Sequence, residues 1–148
     1  MIRKFTQNDR KIYLTMAREF YHSDAVLHPV PDVYFERTAD EALRSDTYAE
    51  IYLFEYEGET AGYGLTAKTF SQEAGGYVWW IEEVYIREQF RSKGLGREFF
   101  QYLETCKGED AARLRLEVEA DNTRAVSLYK RLGYEVLDYV QMVKDEMK

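Results

Sequence analysis

The stretch "REQFRSKGLGREFF", residues 87–100, gathers Arg87, Arg91, Lys93 and Arg97 around two glycines in a chain whose net charge is -7. It reads as the end of a strand near Arg87, a six-residue loop, and a helix that begins near Gly94. Leu95, Phe99, Leu103 and Cys106 mark one apolar face of that helix. The first backbone N–H groups of a helix have no partner within it and sit at its positive end, so this strand, loop and helix form an anion site. Gly94 and Gly96 remove side chains where an anion must approach the backbone, while Arg91, Lys93 and Arg97 add mobile positive charge. A P-loop is excluded, because it needs Gly-Lys-Ser/Thr where this chain has Gly94-Leu95-Gly96-Arg97. A dinucleotide fingerprint is excluded as well, since Phe99 stands where its third small residue belongs.

Working outward, Ile2 to Phe5 forms a short strand, and Thr6 with Asp9 opens a first helix over residues 7–22, on which Ile12, Met16, Ala17 and Phe20 recur. Pro29 and Pro31 interrupt regular structure, and a second short helix falls within residues 31–45. From Tyr48 the period becomes that of strands. Two runs flank the hairpin signal Glu57-Gly58-Glu59, and "GGYVWWIEEVYI", residues 75–86, is a third. After the glycine loop and its helix, Leu114, Leu116 and Val118 alternate with Arg115, Glu117 and Glu119 as a strand. Ala125, Leu128, Tyr129 and Leu132 then mark a helix that Gly133 closes. Residues 136–144 read as a final strand. The order is β-α-α-β-β-β-α-β-α-β, without repeat or linker, so one domain over residues 1–148 is expected.

Acids outnumber bases 27 to 20, which argues against nucleic acid as a partner and favours a cationic one. Hydrophobic residues are 45% and aromatics 16%, with 13 Tyr, enough for a well-filled interior. Cys106 is the only cysteine and cannot form an internal disulfide. No apolar stretch approaches the roughly 18 residues of a membrane span, so no membrane partner is expected, and the cytoplasm is the expected location.

Two motifs carry a resemblance to a known family. "IEEVYIREQFRSKGLG", residues 81–96, is similar to the strand and pyrophosphate loop of the GCN5-related N-acetyltransferase (GNAT) superfamily. "NTRAVSLYKRLGYE", residues 122–135, is similar to that family's second motif, Asn-x-x-Ala-x-x-Leu/Phe-Tyr-x-x-x-Gly-Phe/Tyr. The resemblance covers nearly the whole chain and implies an α/β (α+β) GNAT fold, with a central mixed, mostly antiparallel twisted sheet flanked by helices. It implies acetyl-coenzyme A as cofactor and its pyrophosphate as the anion. The pyrophosphate would be held by the backbone from Gln89 to Arg97, which includes Arg91, Ser92, Lys93, Gly94, Leu95 and Gly96. Val84, Tyr85 and Ile86 belong to the same cofactor-binding set, with Val84 and Ile86 bonding the pantetheine arm through main-chain groups. That arm would enter a gap where their strand splays from the one carrying Leu114 to Val118.

Acyl transfer to an amine requires that an ammonium with a pKa near about 10.4 lose a proton, that an oxyanion find a donor, and that a thiolate leave. Glu82 and Glu83 interrupt an apolar strand, and alternation sends them to opposite faces, so only one of them can face the acceptor. By resemblance Glu82 is the general base, with Glu83 as second candidate, the Val84 N–H is the oxyanion donor, and Tyr129 protonates the leaving sulfur. Asn122 would cap its helix and bond the pantetheine arm. No metal site is expected from His22, His28 and Cys106. The histidines belong to a loop over the acceptor pocket, with Tyr21, Tyr34 and Phe35 as candidate walls. The implied activity is direct transfer of acetyl to a primary amine in a ternary complex, without an acyl-enzyme. The acceptor would be a small cationic amine, a polyamine or a peptide amine, and a homodimer is the expected assembly. A non-catalytic acyl-coenzyme A sensor or interaction module is the alternative. It would keep Arg91, Gly94 and Gly96 while losing the acid and the base.

Overall fold

The computed structural model describes residues 1–109 and 111–146. The chain divides into two compact units, Met1–Leu116 and a second beginning at Glu117.

In the first unit the elements run β1 (Ile2–Lys4), α1 (Arg10–Tyr21), α2 (Asp32–Arg44), β2 (Ala49–Tyr56), β3 (Glu59–Ser71), β4 (Gly76–Ile86), α3 (Leu95–Cys106) and β5 (Ala111–Leu116). The five strands lie in the order β1-β2-β3-β4-β5. The first four are mutually antiparallel, while β5 runs parallel to β4. Antiparallel neighbours need only a tight turn, and Glu57 and Gly58 supply one between β2 and β3 with φ of 50° and 82°. A parallel pair needs a crossover, which α3 provides. The expected mixed, mostly antiparallel sheet is therefore present.

The helices follow from their apolar spacing. On α1, Tyr13, Met16 and Ala17 are buried, as are Phe35 and Ala39 on α2. They pack with Ile51, Leu53, Tyr63 and Tyr85 on one face of the sheet. Tyr13 meets Tyr63 edge to face at 5.0 Å, the geometry in which aromatic quadrupoles attract. Leu95, Phe99, Phe100 and Leu103 of α3 are buried on the other face, where the Phe99 ring lies 5.0 Å from Phe54 and 5.6 Å from Tyr52. At the chain start the Thr6 N–H and hydroxyl both donate to the Asp9 carboxylate, which also receives a bidentate pair from Arg3. This holds a short 3₁₀ turn at Gln7–Asp9 ahead of α1, so the α-helix proper starts at Arg10 rather than at residue 7.

The second unit contains α4 (Thr123–Arg131). Its C-terminus closes as expected. Gly133 has φ of 97°, its N–H bonds to the Lys130 carbonyl, and the Tyr134 N–H bonds to that of Tyr129. The final strand expected over residues 136–144 does not form, since residues 134–146 carry no helix or strand. Alternating β-formers give a segment the character of a strand, but a strand exists only through a ladder with a neighbour. For the same reason β5 stops at Leu116, short of Val118.

Candidate active site

The site is organised by an irregularity in the β3–β4 ladder. Leu65 pairs with Glu83 while Thr66 pairs with Ile81, so Glu82 is an extra residue with no opposite number. Such a bulge breaks the two-residue alternation. The expectation that Glu82 and Glu83 face opposite ways is thereby corrected, because both carboxylates turn toward the α1–α2 side. Glu83 accepts hydrogen bonds from the Tyr21 hydroxyl of α1 at 2.5 Å and the Tyr63 hydroxyl of β3 at 2.7 Å. Glu82 is exposed and lines an open cleft of about 320 Å³ with Arg37, Thr38 and Glu41 of α2 and Leu65 and Ala67 of β3.

Burial pushes the Glu83 carboxyl above its ordinary value of 4.5, an effect larger than the opposing stabilisation by the two phenols. The folded protein therefore holds this proton at pH values where the unfolded chain has lost it. Stability rises as pH falls through the raised folded-state pKa, and the ionised group costs stability above it. We expect Glu83→Gln, which keeps an acceptor for the phenols, to flatten the decline in Tm that sets in as pH rises above the ordinary carboxyl value of 4.5. Parallel Tm–pH curves for the two proteins would contradict this.

Several expected site residues are redirected by tertiary partners. Arg87 leaves the basic cradle and forms a bidentate pair with Glu19 of α1 at 2.7 and 3.1 Å, and that carboxylate also accepts from the Tyr85 hydroxyl. The Tyr85 side chain thus faces α1. Phe35, expected as a pocket wall, is 5% exposed and stacks against Tyr21 in the core, because α2 packs directly on the sheet there. Tyr63, Arg37 and Thr38 were not legible as site residues. Tyr63 reads as an ordinary strand aromatic, and its partner Glu83 lies 20 residues away in the chain.

The other half of the site is a strand edge and a helix end. The parallel ladder between β4 and β5 ends where Ile81 pairs with Leu116. From Glu82 to Ile86 the β4 edge on that side has no strand partner among the described residues, leaving the main-chain groups of Val84 and Ile86 along it. The edge leads through a 3₁₀ turn, Glu88–Phe90, which carries the exposed Gln89, into the glycine loop. There Ser92 and Gly94 take positive φ of 63° and 81°. The first α-type bond of α3 runs from the Glu98 N–H to the Gly94 carbonyl, so the N–H groups of Leu95, Gly96 and Arg97 precede the ladder. Arg91 is fixed by its Nε bond to the Ile86 carbonyl at 3.1 Å, and the Lys93 ammonium lies 5.9 Å from the Tyr56 ring centroid. A Cβ on Gly94 would meet nothing within 4 Å, and one on Gly96 only the end of Ile86 at 3.8 Å. Open space over converging N–H donors, rimmed by Arg91, Lys93 and Arg97, fits a pyrophosphate.

In the second unit the Asn122 side chain caps α4 by accepting from the Ala125 N–H at 3.2 Å. Tyr129 is half-buried with its ring 6.1 Å from that of Tyr134, and burial raises its phenol above the usual value. Among the described residues no His, Cys, Asp and Glu cluster suited to a metal is present, and no helix is long and apolar enough to cross a membrane.

The first unit thus combines a mixed sheet, an open strand edge that runs into a glycine-rich loop, and two acids at a bulge on that strand. The chain belongs to the acetyltransferase (GNAT) family, which matches residues 11–134. It is an N-acetyltransferase with acetyl-coenzyme A as its donor. It is 29% identical over 146 residues to thialysine N-epsilon-acetyltransferase from Mus musculus, covering 89% of this chain and 82% of that one. It is also 29% identical over 101 residues to spermine/spermidine N(1)-acetyltransferase from Bacillus subtilis, covering 65% of each. Among solved structures, a possible acetyltransferase from Clostridium difficile 630 superposes with a TM-score of 0.84 at 18% identity, over 100% of this chain and 98% of that one.

Proposed function

We propose that this enzyme transfers acetyl directly from acetyl-coenzyme A to the primary amine of a small cationic acceptor, with both substrates bound together and Glu82 as general base. The observation that carries the reading is the bulge, at which Glu82, the first residue of the open β4 edge, lines the cleft. Acetyl-coenzyme A supplies an acetyl group activated as a thioester.

The chain's own residues do the rest. The N–H groups of Leu95, Gly96 and Arg97, with Arg91, Ser92 and Lys93 around them, hold the pyrophosphate. Val84 and Ile86 offer main-chain groups to the pantetheine arm in the manner of an added strand, and the Val84 N–H lies on the same edge for a developing oxyanion. Glu82 accepts the ammonium proton, directly or through water. Glu83 is braced by Tyr21 and Tyr63. Tyr129, a phenol protonated at neutral pH at its ordinary value near about 10 and raised further by burial, is assigned the proton for the leaving sulfur by its place in the second motif, as Asn122 is assigned to the pantetheine arm. The relatives' names span an amino-acid side chain and polyamines, which supports an alkyl amine as the accepting group.

The test is thiol release from acetyl-coenzyme A over a panel of polyamines, amino acids, aminoglycosides and lysine peptides. Turnover with at least one amine class is expected, and Tyr129→Phe is expected to lower kcat by about a hundredfold. Silence across the panel would overturn the small-acceptor reading, and a Tyr129→Phe rate equal to wild type would return that side chain to a packing role.

A further inference from the structure

We propose that Glu19 of α1 is a positioning residue for the cofactor, fixing the angle between the β4 edge and the glycine loop so that one molecule can engage both at once. This rests on the reading above that the loop holds the pyrophosphate and the edge the pantetheine arm. Acetyl-coenzyme A carries both groups on one chain, so its affinity depends on how the two halves of the site are held relative to each other. The backbone between those halves has few constraints of its own. The β3–β4 ladder ends where Ile86 pairs with Gly62, followed by one main-chain bond from the Arg87 N–H to the Ala61 carbonyl. On its other side β4 pairs with β5 only as far as Ile81. Past Arg87 the chain enters the 3₁₀ turn and then the loop.

One carboxylate secures this junction from outside the sheet. Glu19, in the last turn of α1, accepts from Arg87 Nη2 at 2.7 Å and Nε at 3.1 Å, and from the Tyr85 hydroxyl at 3.0 Å. Its neighbour Phe20 meets the Tyr85 ring edge to face at 5.5 Å. Tyr85 and Arg87 are thus pinned to one helix turn, on either side of Ile86. Ile86 carries a main-chain group of the edge, and its carbonyl accepts from Arg91 of the loop. A guanidinium held through two parallel bonds is fixed in plane as well as in distance, so the direction in which the chain leaves β4 is fixed with it. Both partners are part-buried, which lessens screening by salt. Arg87 holds the Glu19 carboxyl below its ordinary value of 4.5, so the clamp is charged at neutral pH. Arg87 therefore serves the cofactor through the backbone it anchors, with its own charge matched on α1.

The experiment titrates coenzyme A, which spans both halves, and ADP, which carries the pyrophosphate without the arm. Glu19→Gln should weaken coenzyme A by about tenfold, the scale of one lost ordering constraint, while ADP stays within about twofold of wild type. The KM for acetyl-coenzyme A should rise in step, with kcat at saturation near wild type. Arg87→Gln should give the same loss, and the double variant no more than either alone, because the two residues act as one clamp. Arg87→Lys, which keeps the charge without the fork, should fall between wild type and Arg87→Gln. Equal losses for coenzyme A and ADP, no loss for either, or additive losses in the double variant would each overturn the proposal while leaving the cofactor site standing. Failure of ADP to bind the wild-type protein would bring down the reading of the loop and this proposal with it.

Discussion

Glu82→Gln is expected to lower kcat at neutral pH by between about a hundredfold and ten-thousandfold, the usual contribution of a positioned general base, with the Kd for acetyl-coenzyme A within about twofold of wild type. Glutamine has the size of glutamate and suits the exposed bulge position, so the fold and the glycine loop are left alone. What is lost is the carboxylate's negative charge and with it the capacity to accept a proton. An alkyl ammonium with a pKa near about 10.4 is almost entirely protonated at neutral pH, so the variant should recover rate as the pH climbs toward that value. Stopped assays across pH, with direct titration of acetyl-coenzyme A, measure both halves of the expectation. A rate–pH profile identical to wild type would remove Glu82 as the base and make Glu83 the next carboxylate to replace.

Gly62→Ala destabilises the protein by about 3 kcal/mol or more, read from urea unfolding. A Cβ there would lie 2.1 Å from the Tyr85 carbonyl oxygen and 3.0 Å from the Ile86 Cα. Both obstacles are backbone, which cannot swing aside as a side chain does. Tyr85 is also pinned, with its hydroxyl on Glu19 and its ring 6.0 Å from that of Tyr63. Relief would have to come from displacing β4 itself, the strand whose edge carries Val84 and Ile86, so weaker acetyl-coenzyme A binding should accompany the lost stability. Gly58→Ala is the control. It meets open space and is opposed only by its φ of 82°, so it should cost about 1 kcal/mol. A loss at Gly62 no larger than at Gly58 would contradict the close approach of β3 and β4 at this register.

These two positions also divide what was legible from what was not. The glycine loop could be read from local order alone, because strand end, glycines, basic residues and an apolar helical stripe are contiguous from residue 81 to residue 106, and the anion site is made by backbone that the same segment folds. The hairpin at Glu57 and Gly58, the Asn122 cap and the Gly133 closure are local in the same sense. Gly62 gave no such sign, since the carbonyl it must avoid belongs to a strand more than twenty residues later.

The bulge is the clearest case. Alternation along "WIEEVYI" predicts opposite faces for the two glutamates, and only the register against β3 reveals the extra residue that brings them to one side. The withdrawal of Arg87 to Glu19, the bracing of Glu83 by Tyr21 and Tyr63, and the entry of Arg37 into the cleft likewise depend on partners between 20 and 68 residues apart or on the packing of α2 against the sheet. The sequence by itself determined the order of elements up to α4 and the form of the glycine loop, because backbone conformation and helix polarity are short-range, while the chemistry that loop serves came from the resemblance of its two motifs to the GNAT family. The tertiary structure alone decided which carboxylate is buried and which faces the cleft, since desolvation and ladder register are set by chain segments that meet only on folding.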